Sequence, residues 1–148
     1  MEPTQEQSSE IQSDIENITA NLSSGQFQKV LDEASRLLPR TKTRLHRAAC
    51  HFLIGAALKE LGASDEPLPH FLEATLTYPT DQPFLVAHAQ LEVSEIQNKK
   101  GLNESALFFI NMAISNFNLI EELPGTASVK HECEVLKEKI LKDLRRIE

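Results

Sequence analysis

The sequence predicts an all-α protein, a stack of helical hairpins, and three observations carry that prediction. The first is a pattern written three times, in segments 26–38, 63–79 and 102–119. Val30, Pro67 and Ala106 open it, and Leu31, Leu68 and Leu107 follow. Ala34, Phe71 and Ile110 come next, then Leu37, Ala74 and Ala113. The second is the glycine before each copy, since Gly25, Gly62 and Gly101 stand 37 and then 39 residues apart. A period in this range belongs to stacked hairpins, none of which buries its apolar face without a neighbour. The third is composition. With five glycines, one tyrosine and no tryptophan, and with few β-branched runs, the 148 residues argue against sheet.

Residues 1–8 are polar and read as a disordered tail, leaving one domain from 9 to 148. Ile11, Ile15, Ile18 and Leu22 recur at helical spacing until Gly25 closes the first helix. The second runs from about Gln26 to Leu38, stopped by Pro39, and the third covers roughly Thr43–Leu61. Ser64 or Asp65 caps the fourth, where Pro67 fits only the first turn and Pro69 lies at the limit of it. Pro79 ends that helix, Asp81 caps a fifth reaching Lys100, and Asn103 caps the sixth. Pro124-Gly125 stops the sixth, and Thr126 or Ser128 starts a seventh. In that last helix Val129, Cys133, Leu136, Ile140 and Leu144 form one apolar stripe. Such a helix covers the bare end of a repeat stack, or pairs with another copy as a short coiled coil.

The middle unit, 51–79, resembles a tetratricopeptide repeat. Gly55, Gly62, Phe71, Ala74 and Pro79 fall at that family's spacings, and Ile54 and Leu58 suit its large apolar positions. His51 stands at the usual tryptophan site and Pro67 at the usual alanine site, both departures. The outer units keep the second-helix spacing, with Ile18 or Ala89 near the small-residue site. The resemblance covers residues 11–119 and implies a tetratricopeptide-like (TPR-like) α-solenoid of three helical hairpins with a C-terminal capping helix. It further implies binding of a peptide or partner helix in a groove lined by the first helix of each hairpin. One subgroup clamps a carboxylate there with lysine, asparagine and arginine. This chain has Phe52, Leu53 and Ala56 in the middle unit and Pro83 and Ala87 in the third, so that clamp is absent.

Charge and composition exclude other classes. A formal net charge of −7 disfavours wholesale nucleic-acid binding and suits a cytoplasmic protein. The polar start with Glu2, Glu6 and Glu10 has no apolar segment of the secretory kind, and the stretch 48–58 is too short to span a bilayer. Cys50 and Cys133 read as buried hydrophobes in a reducing compartment. His46, His51, His70, His88 and His131 form no metal-binding pair, no glycine-rich phosphate loop occurs, and no catalytic constellation, cofactor or metal site is expected.

The expected function is therefore a non-enzymatic protein–protein interaction module, an adaptor or chaperone-like holder, monomeric or weakly dimeric. Two features carry candidate sites. The third helix adds Phe52, Leu53, Ala56 and Ala57 to its stripe of His51, Ile54, Gly55 and Leu58. Apolar all round, it is either covered all round or offers the Phe52–Ala56 side as a groove floor, with Gln90 and Gln97 facing the same partner. The second feature is basic: Arg36, Arg40, Lys42, Arg44 and Arg47, with no acid between Arg36 and Arg47. These cations are ordinary solvated charge, or Arg40, Lys42, Arg44 and Arg47 form a rim that docks an acidic or phosphorylated segment. A small helical nucleic-acid-associated factor using residues 36–47, and an oligomerising structural subunit, are the competing readings.

Overall fold

A computed structural model describes residues 5–63, 66–120 and 124–147, and no strand occurs among them. It divides into two compact units, Met1–Pro79 and Thr80–Glu148, within the stretch read from sequence as one domain. The first holds α1 (Gln5–Ser23), α2 (Phe27–Leu37), a short 3-10 turn (Leu38–Arg40), α3 (Arg44–Glu60) and α4 (Pro67–Thr77). The second holds α5 (Pro83–Lys99), α6 (Asn103–Phe117) and α7 (Pro124–Ile147). The expected all-α class is observed.

Several helix ends differ from expectation. Residues 5–8 are already helical instead of part of a disordered tail, and residues 1–4 lie outside the described residues. The Ser64 or Asp65 cap of α4 also lies outside them. Gln82, not Asp81, precedes α5, and its side chain makes no capping bond. Asn103 is the first residue of α6 instead of its cap, because its side chain is turned inward to accept from Asn98 Nδ2 at 3.0 Å. The sixth helix stops at Phe117, and Pro124-Gly125 opens the seventh, where proline's missing N–H leaves nothing unsatisfied.

The three repeat glycines do one job. Gly25, Gly62 and Gly101 have φ of 81°, 86° and 81°, a conformation that side chains resist. At each, the glycine N–H and the next residue's N–H reach back to the preceding helix. Gly25 donates to Leu22 O at 3.1 Å and Gln26 to Asn21 O at 3.0 Å. Gly62 and Ala63 repeat this onto Lys59 and Leu58, and Gly101 and Leu102 onto Asn98 and Gln97. These paired bonds satisfy carbonyls at the helix end and reverse the chain within a few residues.

In the first unit α1, α2 and α3 pack on one another, and α3 pairs with α4. Ile11, Ile15 and Ile18 meet Val30, Ala34 and Leu37 of α2 and Cys50, Leu53, Ile54 and Ala57 of α3. On the side of α3 toward α4, a Cβ added at Gly55 would stand 3.0 Å from Cε1 of Phe71, whose ring is wholly buried. In the second unit α6 lies between α5 and α7. Ala106, Ile110, Ala113 and Phe117 meet Ala87 and Leu91 of α5 and Cys133 and Ile140 of α7, with Val129, Leu136 and Leu144 packed alongside. The stripe of α7 is therefore inside its own unit, which answers the coiled-coil alternative for that face.

Replacing Gly55 by leucine forces α3 and α4 apart at the Phe71 ring. The expected loss is about 1–3 kcal/mol of stability, measured by chemical denaturation. An unchanged midpoint would contradict the close contact.

Candidate functional site

The basic cluster is built by the connection from α2 to α3. Arg36 sits in the last turn of α2, where a cation complements the helix dipole. Pro39 sets the 3-10 turn, and Thr41 Oγ1 closes it by donating to Leu38 O at 2.7 Å. Thr43 is extended and caps α3, its hydroxyl accepting from the His46 amide at 3.2 Å. This path spreads Arg36, Arg40, Lys42, Arg44 and Arg47 over the surface, all exposed. Arg36, Arg40, Lys42 and Arg47 form no ion pair among the described residues.

Arg44 differs from the others. Its Nη2 donates to Leu76 O at 3.4 Å, in the last turn of α4, where unsatisfied carbonyls and the negative helix end attract a cation. It is tied to its own unit and is a poor docking residue. Arg40 is central, because it lines two hollows. One, of about 260 Å³, lies between Asp14 and Glu33 and the cations Arg36 and Arg40. The other, of about 340 Å³, sets Glu10 opposite Arg40 and Lys42. The acids of α1 thus share the surface with the cations, a charge mixture that residues 36–47 alone do not reveal.

The proposed groove residues fare less well. Phe52 and Ala56 are half-buried, and the Phe52 ring packs edge-on against Phe71 with centroids 5.4 Å apart. The far side of α3 is taken by α1 and α2 through Leu53 and Ala57, so α3 is covered nearly all round. Gln90 and Gln97, expected to face a partner, are instead turned into the contact with α6. They are 3% and 9% exposed, and both bond to α6. Asn116 Nδ2 donates to Gln90 Oε1 at 2.8 Å, and Ser105 Oγ donates to Gln97 Oε1 at 2.6 Å. Their phase pointed away from the apolar stripe, and nothing in that phase distinguishes a buried amide from a solvated one.

Burial pushes the Cys50 thiol up to about 11. For Cys133 burial, reinforced by Glu132, Glu95 and Glu134, raises it to about 12. Neither holds a useful thiolate fraction at neutral pH. Among the described residues no group of three or more histidine, cysteine or carboxylate side chains is placed to hold a metal ion. No helix among them is long and apolar enough to cross a membrane. Compared with known proteins, the chain matches no family model, no curated protein and no solved structure.

Sequence reading missed one polar pairing across α3 and α4. His51 Nδ1 and His70 Nδ1 stand 3.1 Å apart, so one donates and the other accepts. The other nitrogen of His51, Nε2, is buried without a partner among the described residues. A bare lone pair there costs less than an unpaired N–H, which assigns the donated proton to Nδ1 of His51 by inference. Burial depresses both rings, His51 further through His70, while Glu73 opposes this and Arg47 assists it. Glu66 opposes the depression at His70.

With folded-state values held below the ordinary value near 6.5, the unfolded chain takes up protons first as pH falls. Stability is expected to be level above about pH 7.5 and to fall as the pH drops below that, through the ordinary histidine value near 6.5. A His51→Asn, His70→Asn double variant should show a smaller fall in denaturation midpoint over that window. An identical fall would assign the dependence to other groups.

Proposed function

We propose that the chain is a non-enzymatic protein-interaction module, an adaptor or chaperone-like holder built on TPR-like hairpins. It docks an acidic or phosphorylated protein segment along Arg40, Lys42 and Arg47. The observation that carries this reading is the set of exposed cations around one connection, free of ion pairs among the described residues and flanked by two hollows that share Arg40. Cations close to the N-terminus of α3 oppose its dipole, and an incoming anion relieves both repulsions. The repeat character of the hairpins is supported by three glycine turns with the same hydrogen-bond pattern and by the close approach of Gly55 to Phe71. Glu10, Asp14 and Glu33 beside the hollows favour a peptide with spaced acids over a continuous phosphate backbone, which would meet like charge.

A pulldown from native cell extract tests this, with the wild-type chain compared against Arg40→Glu, Lys42→Glu, Arg47→Glu. Arg44 is left intact because of its bond to α4. Proteins held by the wild type at low salt are expected to be lost at high salt and also in the variant, whose melting stays within about 0.5 kcal/mol of wild type. Equal retention by the variant would leave the cluster as ordinary solvated charge.

A further inference from the structure

The two hollows that share Arg40 are consecutive stretches of one groove between α1 and the end of α2 with the connection that follows it. Asp14 lines the first hollow together with Arg36 and Arg40. Glu10, one helical turn earlier in α1, lines the second together with Arg40 and Lys42. The charges therefore succeed one another along the groove as Arg36, Asp14, Arg40, Glu10 and Lys42, cations on one wall and acids on the other. None of these five forms an ion pair among the described residues. Glu33, the remaining acid of the groove, is already engaged. Lys29 Nζ stands 3.9 Å from it, and Asn21 Nδ2 donates to it at 3.4 Å.

We propose that the groove takes an extended segment of a partner protein in which acidic and basic residues alternate, acid–base–acid–base–acid. This rests on the reading of the basic cluster as a docking surface and names the charge pattern that the surface selects. Spacing carries it. Glu10 and Asp14, four residues apart on one helix, are separated by about 6 Å along the axis. Arg36 and Arg40 bridge the end of α2 and the 3-10 turn, about 6–8 Å. Arg40 and Lys42 flank an extended Thr41, about 6–7 Å. An extended strand repeats every two residues, about 6.6 Å, with successive side chains on opposite sides. Acids at its odd positions then face Arg36, Arg40 and Lys42, while bases at its even positions face Asp14 and Glu10.

Other occupants fit less well. In a continuous acidic run every second carboxylate meets Asp14 or Glu10, and a basic run meets the cations. A partner helix is too wide. Hollows of about 260 and 340 Å³ are about 6–7 Å across, against ~10–12 Å for a helix with its side chains. Exposed ion pairs are individually weak, so a short segment binds in the range of about 0.1–1 mM and is released by salt.

Titration of the full chain with capped pentapeptides at about 20 mM salt, followed by amide magnetic-resonance shifts, tests the pattern. Glu-Lys-Glu-Lys-Glu is expected to bind about fivefold tighter than Glu-Glu-Glu-Lys-Lys, which has the same composition, and tighter than the all-glutamate peptide. Its shifts should fall on residues 10–18 and 36–42. Glu10 is exposed and Asp14 half-buried, so Glu10→Gln with Asp14→Asn should keep its helical circular dichroism. That variant should prefer the all-glutamate peptide instead. Equal binding of the two isomeric peptides overturns the proposal, as does an absence of shifts at about 5 mM peptide. So does a preference for alternation that survives the amide variant. A wild type that prefers the all-glutamate peptide overturns the alternation and leaves the acidic docking surface standing. Failure of that surface reads differently: Arg40→Glu would leave the binding of every peptide unchanged.

Discussion

A glycine in the left-handed conformation closes the first helix of each hairpin, and the packing of every second helix depends on it. With φ between 81° and 86°, the backbone returns two amides to the helix it has just left and reverses direction immediately. A longer turn would let the second helix slide along the first. A short one fixes which residues meet. Val30, Ala34 and Leu37 fall inward after Gly25, Phe71 and Ala74 after Gly62, and Ala106, Ile110 and Ala113 after Gly101. The threefold pattern in the sequence is thus the imprint of one turn used three times.

Beyond the turn, the two units secure their hairpins by different means. Between α3 and α4, a missing side chain at Gly55 lets the Phe71 ring approach the backbone, and this close fit sets the register together with the His51–His70 and Arg44–Leu76 O bonds. Between α5 and α6, directed polar contacts do this. Ser94 Oγ, fully buried, donates to Ala106 O at 2.7 Å, and amide pairs lie on either side of it at Gln90 and Asn98. Asn98 extends the network to α7, donating to Asp143 at 3.0 Å and accepting from Lys139 at 2.6 Å. The bond from Asn98, and after it the one that Lys139 donates to Asp143 at 3.2 Å, hold the Asp143 carboxyl below its ordinary value. Apolar stripes tolerate a slip of one turn, whereas a buried amide left without its partner costs about 1–3 kcal/mol. The network thereby fixes α5, α6 and α7 against sliding.

The sequence displayed the helices because apolar periodicity and glycine turns act locally. Pro67 opening α4 was legible for the same reason. Asn103 was not, because a cap and an inward amide are the same residue type before the same helix, and only the position of Asn98 decides between them. Gln90 and Gln97 share that ambiguity, since α5 buries polar side chains on a face that reads as surface. The basic residues were found by spacing, but their separate roles depend on contacts distant in sequence. Arg44 reaches a carbonyl 32 residues away, and Arg40 faces acids contributed by α1. His51 lay within an apolar run, and only the fold shows that His70 completes its hydrogen bond.

The two surfaces left unsatisfied by the fold differ in what they ask of a partner. The cluster in the first unit carries cations that form no ion pair among the described residues and stand beside acids, so attraction there would be long-ranged, screened by salt, and specific to the placement of charge. The stripe of Phe108, Met112 and Leu119 in the second unit is exposed and uncharged, so a contact there would rest on water release and change little with salt. A partner suited to one is therefore poorly suited to the other. Acidic segments lose their hydration against the stripe without a counter-ion, and an apolar helix gains nothing among solvated guanidinium groups. Their opposite chemistry means that an apolar contact at α6 would not compete for the cations of the α2–α3 connection.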